Sequence, residues 1–223
     1  MNKKKAVIFD LDDTLIDRKA AIKAYSEVFI NSHFPCVDIC RRSQMIADMV
    51  NKDSRGNIDR KVFFKILTEL WDWKDAAPIE FLEEEWNNEF PKQAVPVENM
   101  DFVLDELISK AYKIGLITNG VSLFQNSKIE VIGIRSKLDD IIISKDVMMN
   151  KPEPGIFHLA CKNLHLQPEE VIFVGDNLRN DVYGSMNVGM TAVWLNNVEA
   201  YDEIEDNVNC IRIRHLIELL EII

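Results

Sequence analysis

The chain has 223 residues, 47% of them hydrophobic and 28% charged, which suits one large or two modest folded soluble domains. Its formal net charge of −11 opposes binding to nucleic acid polymers or an anionic membrane, since both need a cationic surface, so an anionic ligand must be drawn in by local cations. The apolar runs are far shorter than the ~20 residues of a membrane span, and the basic start Met1–Lys5 leads into an apolar stretch that breaks at Asp10, too short for a signal-peptide core.

The expected setting is therefore the cytoplasm. Ala6-Val7-Ile8-Phe9 reads as a strand buried on both faces, because a half-exposed strand would alternate polar and apolar residues. Asp10 and Asp12 follow it, at the carboxyl end where open α/β sheets place their ligands. Residues i and i+2 of an extended segment point the same way, so both carboxylates can face one site. Two anions that close repel, and one stays protonated unless a cation intervenes. Taken alone, the pair also fits a polar strand terminus entering a turn.

Residues 16–94 differ from the rest and predict a helical insert of about four helices. The expected helices are Lys19 to Ile30, Cys40 to Val50, one from Arg60 capped by Asp59, and Ile79 to Asn88 with Pro78 in its first turn. The aromatic residues Trp71, Trp73, Phe81, Trp86 and Phe90 read mainly as the insert's own core. Arg18 and Arg55 fit either solvated arginines or groups that read a substrate anion.

After Pro96 the pattern alternates helix and strand, which implies a parallel sheet with right-handed crossovers. A helix marked by Phe102, Leu104, Leu107, Ile108, Ala111 and Tyr112 is closed by Lys113 and Gly115. A strand covers Ile114 to Thr118. Ser122 and Gln125 then read as a capping box for the next helix, which Gly133 ends. Further strands are expected at 141–143, 171–175 and 191–195, with a helix from Pro154 to about Leu164, a weak strand near Cys210 and a helix from His215 to Ile222. Cys36, Cys40, Cys161 and Cys210 form no CxxC pair and read as buried reduced thiols.

The strand ends carry the chemistry. The first ends in Asp10 and Asp12. The second ends in Thr118-Asn119-Gly120, a hydroxyl and backbone amides that suit an oxyanion. The third leads to Lys151-Pro152, a cation in a stiff loop, and the fourth to Gly175-Asp176 with Asp181 five residues on. Each group alone is weak, whereas their order on successive strands is hard to obtain by chance.

Together D-L-D-D-T, I-T-N, K-P and G-D-N-L-R-N-D resemble the four motifs of the haloacid dehalogenase superfamily of phosphohydrolases. The resemblance covers about Lys5 to Leu15 and Val95 to Leu195. It implies an α/β fold with a Rossmann-like parallel sheet core, formed by residues 1–15 and 95–223, and an inserted all-helical cap of the family's first type at 16–94. The narrower likeness is to the phosphatase branch acting on small esters such as nucleoside monophosphates or acylneuraminate 9-phosphate.

Carried onto this sequence, Asp10 resembles the nucleophile and Asp12 the general acid/base. Thr118 and the Asn119 amide would hold the phosphoryl oxygens, and Lys151 would neutralise them. Mg2+ would be bound by Asp10, the Asp12 backbone carbonyl and Asp176, with Asp181 supporting it directly or through water. An oxygen-rich set without His or Cys suits Mg2+ better than zinc. The implied partner is a small phosphorylated metabolite.

Asp13 departs from the glycine that many family members carry in this turn, which Asp also suits. Hydrolytic dehalogenation would not need Asp12. A phosphomutase would keep every motif, and a non-catalytic phosphate-binding regulator could have discarded Asp10 or Asp12.

Overall fold

A computed structural model describes residues 3–196 and 210–223, so Met1 and Asn2 of the basic start lie outside the described residues. The chain divides into two compact units, one running up to Ile16 and resuming at Pro96, the other spanning Asp17–Val95.

The first unit is an α/β fold built on a parallel sheet. Its described strands are β1 (Ala6–Phe9), β2 (Lys113–Thr118), β3 (Asp140–Ile143), β4 (Val171–Gly175), β5 (Thr191–Leu195) and β6 (Ile211–Ile213), in the order β3-β2-β1-β4-β5-β6. Every pairing is parallel. Strand β1 lies between β2 and β4, with Phe9 level with Leu116 on one side and Val174 on the other. That central place explains its unbroken apolar sequence, since all four residues are fully buried.

On one face Ala6, Ile8, Ile117 and Phe173 pack with Ile156, Phe157, Ala160 and Leu164, residues of the helix Pro154–Leu164. Val7 and Phe9 point to the other face by strand alternation. The helix at Pro154–Leu164 and the strands at 171–175 and 191–195 have the bounds the sequence predicts. Among the described residues, no helix is long and apolar enough to cross a membrane.

The second unit holds α1 (Arg18–His33), α2 (Ile39–Lys52), α3 (Arg60–Leu70) and α4 (Ile79–Glu89). Asp17, Asp38 and Asp59 cap the first three, each carboxylate accepting from backbone N–H groups of the first turn. The core of this unit is aromatic, as Tyr25, Phe29, Phe63, Phe64, Trp86 and Phe90 are all buried. Trp86 stacks on Phe90 at 4.2 Å between centroids and meets the edge of Tyr25 at 4.7 Å. Phe81 is 56% exposed and takes no part in this core, contrary to the sequence reading.

In the first unit three local expectations are corrected. The helix before β2 is α5 (Met100–Ser109), which buries Met100, Val103, Leu104 and Leu107 and leaves Phe102 and Ile108 about half exposed. Ala111 turns to φ +59°, and Lys113 and Gly115 are already part of β2 rather than helix closers. The final helix is a 3-10 segment, Leu216–Glu221. The cysteines differ from expectation too, as Cys36 and Cys40 are exposed and only Cys161 is buried.

Arg18 is a core residue of the second unit rather than a solvated arginine. Its Nε and Nη2 donate to the two Asp53 carboxylate oxygens at 2.9 Å each, and Arg60 Nη1 donates to Asp53 Oδ1 at 2.8 Å. Asp53 also accepts the Gly56 N–H, which closes a turn in which Ser54, Arg55 and Gly56 all have positive φ. A Cβ on Gly56 would stand 2.7 Å from the Arg18 guanidinium carbon, so glycine is required there on both counts.

One buried carboxylate thus balances two arginines. Replacing Asp53 with Ala removes the carboxylate that both arginines share, and we expect stability to fall by about 3–5 kcal/mol in denaturant unfolding. A loss under about 1 kcal/mol would show that the cluster contributes little.

Candidate active site

The carboxyl ends of β1, β2 and β4 lie side by side because the strands are parallel and in register. Asp10 follows β1, with its N–H donating to the Val174 carbonyl at 2.9 Å. Thr118 is the last residue of β2 and Gly175 the last of β4. The sequence-predicted groups Asp10, Asp12, Thr118, Asn119, Lys151, Asp176 and Asp181 all belong to the first unit.

Lys151 joins three of the strand ends. Its buried ammonium lies 2.5 Å from Asp10 Oδ1 and 2.7 Å from Asp181 Oδ1. The Asn119 side chain fixes the lysine's backbone, accepting from Lys151 N at 2.9 Å and donating to Lys151 O at 3.0 Å. Asn119 thus has a structural role that its motif did not reveal. Burial alone would lower the Lys151 pKa, but the charges of Asp10 and Asp181 outweigh it and raise it, so the lysine is a fixed cation. Burial pushes the Asp10 carboxyl up to about 7; Asp181 and Asp12 add to the shift, while Lys151 opposes it.

Asp181 lies in a π-helical turn, Leu178–Tyr183, entered through Asn177. Its Oδ2 accepts the Asn177 N–H at 2.9 Å. Its Oδ1 is buried and makes no hydrogen bond, although it is in charge contact with Lys151. Asp176 is anchored through its carbonyl, which accepts Trp194 Nε1–H at 2.9 Å. Ligand oxygens of Asp10, Asp176 and Asp181 lie within 4.8 Å of one another. Three carboxylates brought together without His or Cys fit a hard cation such as Mg2+. Gly175 makes room for them, because a Cβ there would meet Asp181 Cβ, Cγ and Oδ2 at 2.5 Å.

The Asp12 carboxylate has partners of its own. Its two carboxylate oxygens each accept from Lys128 Nζ at 2.7 Å, and Oδ2 also accepts from Gln125 Nε2 at 3.1 Å. Between Asp12 and the following loop, Asp13 takes φ +58°, a conformation Asp tolerates better than most residues. Thr14 is fully buried, and its hydroxyl is 3.4 Å from Asp10 Oδ2.

Two expectations about β2 and its helix are overturned. Ser122 and Gln125 form no capping box: the N-cap of α6 (Ser122–Val131) is Val121, without a side-chain bond. Ser122 Oγ donates to Asp146, while Gln125 is buried and donates to Thr118 Oγ1 and to Asp12. Its amide faces the strand ends, and so does not fold back onto the start of its own helix. The Gly120 N–H, read as part of an oxyanion pocket, instead donates to Ser144 Oγ at 3.0 Å.

Lys128 escaped the sequence reading altogether. The signal was present, since Gln125, Lys128, Ile129 and Ile132 recur at i, i+3, i+4 and i+7, the spacing of a core-facing stripe. All four are buried. A Gln and a Lys within such a stripe, just after a strand-end Thr, imply polar partners inside.

A model of the haloacid dehalogenase-like hydrolase family matches residues 7–195. The chain is 30% identical over 211 residues to the glyceraldehyde 3-phosphate phosphatase of Methanothermobacter thermautotrophicus, covering 91% of this chain and 92% of that protein. It is 28% identical over 218 residues to the N-acylneuraminate-9-phosphatase of Homo sapiens, with 88% and 84% covered. Among solved structures it resembles a haloacid dehalogenase-type phosphatase from Thermococcus onnurineus, at 28% identity and a TM-score of 0.65 over 98% and 97% of the two chains. The hydrolase YfnB from Bacillus subtilis, solved with magnesium, has a TM-score of 0.75 at 20% identity over 99% of both chains, a likeness of fold.

Two outcomes follow from the acidic cluster. Gly175→Ala forces Asp181 aside, and isothermal titration should find Mg2+ bound about 10- to 100-fold more weakly than by wild type. If Asp10 is a ligand, the cation would also compete with a proton there, because burial raises the Asp10 pKa to about 7. Mg2+ affinity should therefore be greatest above about pH 7 and fall by up to about tenfold per unit below it. An affinity unchanged between about pH 8 and about pH 5.5 would remove Asp10 from the ligand set.

Proposed function

Because the chain belongs to the haloacid dehalogenase-like hydrolase family, we propose that it is a Mg2+-dependent phosphatase, cleaving a small phosphomonoester through an aspartyl-phosphate on Asp10. The observation that carries this reading is the division of charge at the strand ends. Asp10 is buried against Lys151, while Asp12, two residues on, is paired with a different lysine. Two neighbouring carboxylates in different environments can take different roles.

In the first step an Asp10 oxygen attacks phosphorus and the ester oxygen leaves, taking the proton that Asp12 carries on entering the cycle; Asp12 is then the anion that Lys128 and Gln125 hold. In the second, Asp12 takes a proton from water, the resulting hydroxide attacks the acyl-phosphate phosphorus, and phosphate departs as Asp10 is restored. Splitting the reaction this way replaces one difficult displacement with two easier ones. Lys151 neutralises phosphoryl charge that would otherwise repel Asp10, and positioned charge is where most of such catalysis originates. Thr118 Oγ1 accepts from Gln125, which leaves its own O–H to donate to a phosphoryl oxygen. Held by Asp10, the Asp12 carbonyl, Asp176 and Asp181, Mg2+ would add positive charge against those same oxygens.

The inserted unit Asp17–Val95 is assigned the role of a cap that selects the substrate. The two named relatives are phosphatases of glyceraldehyde 3-phosphate and of an acylneuraminate 9-phosphate. We extend this to the chain as a preference for an alkyl phosphate of a sugar, sugar acid or nucleoside, acting in the cytoplasm.

The test is phosphate release from a panel of such esters, with and without Mg2+. Wild type should hydrolyse at least one alkyl ester only with the metal, and Asp10→Asn should lose at least about 10³-fold in kcat. Lys151→Met should lose about 10²- to 10³-fold. Hydrolysis that survives in Asp10→Asn would sink the covalent route, and isomerisation of a sugar phosphate without release would identify a mutase instead.

A further inference from the structure

Lys128 is the least expected charge among the described residues of the first unit. It projects from the buried stripe of α6 and is 2% exposed, with its ammonium 4.6 Å from the Phe124 ring centroid and 2.7 Å from both Asp12 oxygens. Its partner carboxylate is 28% exposed. Stability alone is a poor reason for such a pair, since removing an ammonium from water consumes most of what the attraction returns, and an apolar side chain would fill the stripe as well.

The geometry gives another reason. Gln125, one helical turn earlier, holds the same carboxylate, its amide nitrogen lying 3.1 Å from Asp12 Oδ2 and 2.5 Å from Thr118 Oγ1. The nitrogen must face these atoms, because a carboxylate only accepts. Lys151, the cation of the neighbouring cluster, is already shared by Asp10 and Asp181. Without donors of its own, Asp12 would be pushed aside by the neighbouring acidic cluster, whose charge the one lysine does not balance, rather than held where a leaving oxygen passes.

We propose that Lys128 and Gln125 are positioning residues that hold the Asp12 carboxylate apart from the Lys151 cluster and in line with the departing ester oxygen, with Gln125 also orienting the Thr118 hydroxyl. The inference rests on the acid/base role given to Asp12 above. Neither side chain is assigned contact with substrate. Both act through the residue they hold.

Such a role has a kinetic signature that a purely structural lysine lacks. An alkoxide leaves slowly without a proton, whereas p-nitrophenolate leaves readily without one. On an alkyl phosphate, Asp12→Asn should lose about 10²- to 10³-fold in kcat and Lys128→Met about 10- to 100-fold. Single-turnover release of p-nitrophenolate from p-nitrophenyl phosphate reports the first step alone, and there Lys128→Met should lose no more than about threefold, whereas steady-state turnover also needs Asp12 to activate water and should fall on both esters. The double variant Asp12→Asn/Lys128→Met should be no slower than Asp12→Asn alone, because the lysine works only through that carboxylate.

The ratio of the two esters' single-turnover rates on one preparation does not depend on the folded fraction. If Lys128→Met does not fold, Gln125→Met tests the same clamp by the same ratio, with a further loss on both esters from Thr118. Equal losses of Lys128→Met in the single-turnover first step on both esters, or a double variant slowed by the product of the single effects, would overturn the proposal. Full activity of Asp12→Asn on the alkyl ester would instead overturn the acid/base reading itself, while damage in Asp12→Asn with none in Lys128→Met would remove only the clamp.

Discussion

A buried carboxylate next to a buried ammonium is the constraint on which the active-site end of the sheet depends. Strand β1 is enclosed on both faces and both edges, so Asp10 emerges at a point where water cannot solvate it well. Its charge has to be met by the protein, and Lys151 meets it. That lysine is held by Asn119 from β2's end and by Asp181 from beyond β4. The apolar packing of the sheet and the polar bonding at its end are therefore one structure, because each requires the other to be in register.

The two units solve the problem of buried charge with opposite stoichiometry. At the strand ends two anions, Asp10 and Asp181, share one cation, which leaves negative charge over and suits a site that takes up a metal ion. In the helical unit two cations, Arg18 and Arg60, share Asp53. There the surplus positive charge is spread over aromatic faces, with the Arg60 guanidinium 4.4 Å from the Trp86 ring and that of Arg18 5.1 Å from Phe90. The first arrangement is rich in carboxylate oxygen, and the second sets its guanidinium groups against aromatic rings.

What the sequence made legible follows from the same physics. The strands of the sheet and the order of the acidic strand ends were readable because burial on both faces removes all choice about polarity. The helices were readable in existence more than in facing. Phe81, Phe102 and Ile108 look like core residues by composition yet lie outside, since a helix of ten or eleven residues has more apolar positions than its partners can cover. Gln125 misleads for a different reason. Local rules offer a Gln three residues after a Ser a bond to the nearby backbone, but here tertiary partners compete and win, because Thr118 and Asp12 are polar groups at the strand ends that need donors. The Lys128–Asp12 and Arg18–Asp53 pairs were invisible to motif logic for the same reason, as the paired residues lie 116 and 35 positions apart in the chain.

The helical unit leaves the core after Ile16 and returns at Pro96, and these two residues are paired across an antiparallel bridge. Val97 donates to the Leu15 carbonyl at 3.0 Å and Asp17 to the Val95 carbonyl at 2.8 Å, so the outgoing and returning chains run together on either side of the boundary. The insertion therefore spans almost no distance on the core. An exchange of everything between those positions for a different segment, long or short, would need no change in the sheet's geometry provided the new ends meet. A lineage could rewrite a closed loop of chain in this way, while the carboxylates at the ends of β1 and β4 stay on strands that never register the splice.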